Sequence, residues 1–95
     1  MKTIIRSRDS GKAKELLTYA QENHATVLTQ DKRALQVKAD NYGLHDINIM
    51  DYEDLENDDY DICTPIVIHN ADKFLTYVLD RYYGLNPIGF TATEE

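Results

Sequence analysis

Tryptophan is missing from this chain of 95 residues, and cysteine is reduced to Cys63 alone. A single cysteine excludes an intramolecular disulfide and a cysteine-built zinc cluster. No neighbouring motif activates it, so Cys63 reads as inert, and a reducing, cytoplasmic setting is the expectation. No apolar run approaches the roughly 20 residues needed to cross a bilayer, so no membrane association is expected. The opening Met1-Lys2-Thr3-Ile4-Ile5-Arg6 reaches charge before an apolar stretch of signal-peptide length. Positive charge is also scarce, with 10 Lys and Arg against 17 Asp and Glu and a net charge of −7. Phosphate binding rests on clustered Lys and Arg, so direct, general nucleic-acid binding is not expected. A small local basic site remains compatible with this balance. There is no internal repeat and no low-complexity segment, and the length suits a single domain over residues 1–95.

What is present alternates. Thr3–Arg6 reads as a first strand. Ala13, Leu16, Leu17 and Ala20 follow at i, i+3, i+4, i+7, one face of a helix fading near Asn23-His24. Ala25–Thr29 is a nearly continuous apolar run, as expected of a strand covered on both faces. Asp31 suits a helix cap, Leu35, Ala39 and Tyr42 the buried side of that helix, and Gly43 its left-handed stop. Ile47–Met50 reads as a third strand. Seven of the eleven residues from Asp51 to Asp61 are acidic, and a short helical turn over Tyr52–Leu55 followed by an exposed loop is expected there. Pro65–Ile68 is the most apolar strand and is expected at the centre of the sheet. Asn70 is placed to cap a helix whose stripe is Ala71, Phe74, Leu75, Val78, Leu79 and Tyr82, ended by Gly84. Ile88–Ala92 reads as a last strand. Alternating strands and helices predict parallel βαβ units, hence a three-layer α/β/α sandwich with a five-stranded parallel sheet.

Three segments carry a resemblance. Arg6-Ser7-Arg8-Asp9-Ser10-Gly11-Lys12-Ala13 stands against G-x-x-x-x-G-K-[ST], matching at Gly11 and Lys12. Pro65–Asp72 resembles the apolar strand that ends in an Asp-Glu pair, with His69 and Asn70 in those two places. Ile88–Glu94 is similar to a Ser/Thr-Ala-Thr strand end. Together they resemble a P-loop nucleoside triphosphatase core of the RecA and helicase branch. More narrowly, they resemble small phage-encoded proteins that keep a shortened form of that core. The resemblance implies a sheet with the first, last and Pro65–Ile68 strands in the middle. It also implies a phosphate loop in which Ser10, Gly11, Lys12 and Arg8 would hold ATP or another phosphate ligand.

The departures matter as much. Ala13 cannot ligate Mg²⁺, and His69 and Asn70 supply no carboxylate to orient the metal or activate water. Phosphoryl transfer rests on positioning and charge neutralisation. No catalytic residue, no metal and no useful ATP hydrolysis are therefore expected. For Lys12 a phosphate contact and a solvated lysine stay equally open. Arg6 and Arg8 fit an anion site or pairing with Asp9 and the acidic stretch. His69 reads as a hydrogen-bonded structural histidine, and His24 and His45 share no metal-ligand spacing with it. The acidic run reads first as a solvated loop, second as a surface for a basic partner, and last as a Ca²⁺ loop whose spacing does not fit an EF-hand.

Three functions follow. The first is a non-catalytic accessory protein of phage or prophage type, in the host cytoplasm, binding a protein partner. The second is a nucleotide or phosphate binder acting through Gly11 and Lys12. The third is an acidic inhibitor of a DNA-binding host protein. A homodimer through a sheet edge or a tyrosine-bearing helix also fits, since Tyr77, Tyr82 and Tyr83 suit a contact rim.

Overall fold

A computed structural model describes residues 1–5 and 11–93. The expected loop residues Arg8 and Ser10 therefore lie outside the described residues. Within the described residues, four helices and three short strands alternate. They are α1 (Lys12–Glu22), β1 (Thr26–Thr29), α2 (Lys32–Asn41), β2 (Ile49–Asp51), α3 (Tyr52–Glu56), β3 (Ile66–Ile68) and α4 (Ala71–Tyr83). The strands are all parallel, in the order β2-β1-β3. Thr26–Leu28 pairs with Ile66–Ile68 on one side, and Val27–Thr29 with Ile49–Asp51 on the other.

Strand alternation sorts the core into two layers. Val27, Ile49 and Val67 face α1 and α2, where Ala13, Leu17, Ala20, Leu35 and Ala39 close over them. Leu28, Met50 and Ile68 face α3 and α4, against Tyr52, Leu55, Phe74 and Tyr77. The expected three-layer sandwich on a five-stranded parallel sheet is thus corrected: the described residues form an α/β fold with four helices and a three-stranded parallel sheet. Thr3–Ile5 and Ile88–Ala92 form no strand, although Thr3 Oγ1 donates to the Thr93 carbonyl at 3.2 Å. A strand is held by burying its side chains, and Ile5, Ile88 and Phe90 are 68%, 96% and 57% exposed. The centre of the sheet is also corrected. β1 occupies it, covered on both faces, while β3, the most apolar strand by sequence, is an edge.

Local signals behave as chemistry dictates. Asp31 Oδ1 accepts from the Ala34 amide at 3.0 Å and starts α2. Asp51 and Asp54 form a reciprocal capping box at α3. Gly84, at φ +65°, takes the left-handed conformation that closes α4, and the Leu85 amide reaches back to the Leu79 carbonyl. Asn70 departs from its expected role. It precedes α4 at φ 56°, and its side chain makes no cap bond. Tyr42 was expected on the buried side of α2, yet it is exposed, as is Val37.

The ten buried apolar residues all lie between Ala13 and Tyr52. α4 has no buried residue, despite its apolar stripe. Phe74 and Tyr77 do pack on the Tyr52 ring, at centroid separations of 5.5 and 4.7 Å. The Tyr52 hydroxyl is buried with no hydrogen-bond partner among the described residues, and burial pushes its pKa up. A buried unpaired hydroxyl costs free energy that a phenyl ring does not. Tyr52→Phe is therefore expected to be neutral or to stabilise by up to about 1 kcal/mol in urea unfolding.

Candidate functional site

In open parallel sheets, ligand crevices form at the carboxyl ends of the strands, where the chain reverses its direction of travel across the sheet. Here that point lies between β1 and β3. β1 connects through α2 to β2 on one side, while β3 lies on the other. Thr29, Asp51 and His69 all point to the α1 and α2 face by alternation from Val27, Ile49 and Val67. At this point a side-chain hydrogen bond joins β1 to the end of β3. Thr29 Oγ1 and His69 Nδ1 are 3.0 Å apart, and the Thr29 residue is 3% exposed. The His69 amide also donates to the Leu28 carbonyl at 2.9 Å.

Burial pushes the His69 imidazole below its ordinary pKa. Lys38 and Lys12 push the same way, and Asp72 opposes them. The sign of the pH effect follows. As pH falls below about 6.5, the unfolded chain takes up this proton before the folded one does, so stability is lost on acidification. The urea midpoint is expected to begin falling there, and His69→Gln to flatten that first step. A second loss is expected below about pH 4. It comes from Asp54, held below the usual range by the Lys32 hydrogen bond, and from Glu56 and Asp61.

Of the residues assigned to a phosphate loop, Gly11 and Lys12 are described. Gly11, at φ +84°, precedes α1 and its carbonyl accepts the first helical bond, from Glu15 at 3.1 Å. Lys12 is the first residue of α1, near enough to His69 to depress its pKa. A cleft of about 390 Å³ lies along α1, lined by Lys2, Gly11, Lys14, Glu15, Thr18, Tyr19 and Glu22; Lys12 is not among its lining residues. Sequence reasoning missed Thr29 as the partner of His69. The signal was the alternation along Ala25–Thr29, which sets Thr29 on the same face as Val27. Among the described residues, no group of three His, Cys, Asp or Glu side chains could hold a metal ion. No described helix is long and apolar enough to cross a membrane.

A second feature is larger. Nine of the thirteen exposed large hydrophobic residues lie between Tyr60 and Phe90. They include Ile62, Ile66, Leu75, Leu85, Ile88 and Phe90, on the β3 edge, α4 and the segment after it. The stripe residues Phe74, Leu75, Val78 and Leu79 are thus only half-covered. The tyrosines divide. Tyr77 and Tyr82 donate to Glu56 Oε1, which Arg81 Nε also approaches at 3.1 Å, while Tyr83 stands exposed. This convergence ties the end of α3 to α4. Glu56→Ala is expected to raise amide exchange in α4 while leaving α1 unchanged.

No protein-family model, curated protein or solved structure matches the chain.

Proposed function

We propose that this chain is a non-catalytic protein-binding module, an accessory protein of phage type. The observation that carries the reading is the division of its apolar residues. All the buried ones precede residue 53, and most of the large exposed ones follow residue 59. Extended apolar exposure in a folded chain marks a contact surface. The end of β3 carries His69 and Asn70 in the two places where the resemblance has an Asp-Glu pair, with His69 engaged by Thr29, and this supports the non-catalytic half of the reading.

Site-directed crosslinking tests it. A photoreactive residue at Ile66 or Phe90 is expected to give one discrete adduct with a partner protein in cells, and none at Val37 on α2. Equal labelling at all three positions would contradict the proposal. The competing nucleotide reading draws on Lys12 and Lys38 near His69. Calorimetric titration with ATP, ADP and Mg²⁺ is expected to show no binding. Micromolar binding lost in Lys12→Ala would replace the protein-binding reading with that one.

A further inference from the structure

None of the described residues after Tyr52 is buried, so β3 and α4 add no enclosed side chain to the core. On one side, bonds to β1 hold them. The Thr26 amide donates to the Pro65 carbonyl and the His69 amide to the Leu28 carbonyl, both at 2.9 Å. In a parallel strand the N–H and C=O of one residue point the same way, so Val67 and His69 face β1, while Ile66 and Ile68 face away from it. The Thr29–His69 side-chain bond lies at the end of this ladder. On the other side, Phe74 and Tyr77 lie against Tyr52, and Glu56 gathers Tyr77, Tyr82 and Arg81. The chain enters β3 through residues 57–63, all exposed. It turns from β3 into α4 at Asn70, held at φ 56°, a left-handed conformation that the surrounding fold must keep in place.

The buried Thr29 hydroxyl has one side-chain partner among the described residues, His69 Nδ1. A buried hydroxyl hydrogen needs an acceptor, which assigns the neutral ring with Nδ1 accepting and the proton on Nε2. A second proton goes onto Nδ1 and takes that acceptor away. It also charges a half-buried ring close to Lys38 of α2 and Lys12 of α1, with Asp72 of α4 opposing them. From β1 the ring meets the uncharged Thr29. We propose that β3 and α4 form a flap that opens as one unit while α1, β1, α2 and β2 stay folded, and that a proton on His69 releases it. Opening returns the ring to water, frees Asn70 from its left-handed conformation and uncovers Leu28, Met50 and Tyr52. The cluster of Ala13, Leu17, Ala20, Leu35 and Ala39 loses only Val67 from its partly buried rim. In the open state the ring titrates as a free histidine, near pH 6.5, so acid favours opening below that value. One pH unit lower, the open fraction stands up to about tenfold above its neutral value.

The test is amide exchange of the whole chain at about pH 7.5 and about pH 5.5, read as protection factors so that intrinsic exchange rates cancel. Val78 and Leu79 of α4 are expected to be about tenfold or more less protected than Leu17 and Ala20 of α1 at both pH values. At the lower pH, α4 is expected to lose up to about a further tenfold. His69→Gln keeps an acceptor for Thr29 and cannot take the proton. It is expected to remove the acid loss and to leave the gap between the two helices. Lys38→Met removes one of the cations near the ring, at an exposed position, and is expected to make the acid loss smaller. Equal protection of α1 and α4 would mean that the chain opens only as a whole, and would overturn the flap. An undiminished acid loss in His69→Gln would overturn the trigger, and should that variant not fold, an undiminished loss in Lys38→Met would do so. Neither result depends on whether a partner crosslinks at Ile66 or Phe90.

Discussion

Leu17→Ala is expected to lower the unfolding free energy by about 2–5 kcal/mol, the range for a fully enclosed leucine. Leu17 is fully buried on the inner face of α1 and shares its cluster with Val27, Leu35 and Ala39. The surroundings there are small side chains on two helices and a central strand, and they have little freedom to collapse into the space left. For a domain whose total stability is about 5–15 kcal/mol, such a loss is large enough to leave part of the population unfolded. The contrast is on the other layer. Leu75→Ala, in a helix with no buried residue, is expected to cost less than about 1 kcal/mol. Urea unfolding of the two variants side by side measures the asymmetry. Similar losses would mean that α4 is covered in the isolated chain.

Asp51→Ala is expected to cost about 1–2 kcal/mol, at the upper end for a helix cap. Its carboxylate accepts from the Asp54 amide at 2.9 Å, and Asp54 returns the bond to the Asp51 amide at 3.1 Å. Asp54 is also held by Lys32 of α2 at 2.8 Å. Losing Asp51 therefore loosens a short acidic helix that bridges the strand ends to α2. In a double-mutant cycle with Asp54→Ala, the combined loss is expected to fall short of the two single losses added together, because the two residues serve one box. Strict additivity would show that the box contributes nothing beyond its two separate bonds.

The helices were legible because their determinants are local. The stripe of α1, Asp31 before α2 and Gly84 after α4 each act within a turn or two of their own position, and each stands where its chemistry places it. The sheet was less legible, because pairing is decided by what covers a strand. Pro65–Ile68 has the composition of a central strand yet forms an edge, and Ile88–Ala92 has strand composition yet pairs with nothing described. A one-dimensional apolar run does not distinguish a side chain buried within the chain from one reserved for a partner. The helical stripe of α4 carries the same ambiguity, which is why it reads as core. At the site, His69 was legible as a hydrogen-bonded histidine, but Thr29 was not legible as its partner. The pair lies 40 residues apart and is joined only by the β1–β3 register.

Amide hydrogen exchange along β3 in the isolated chain tests the central claim most directly. Val67 and His69, which face β1, are expected to exchange slowly, and Ile66 and Ile68, which face outward, to exchange fast. Equal, strong protection at all four positions would show that this edge is already occupied within the molecule.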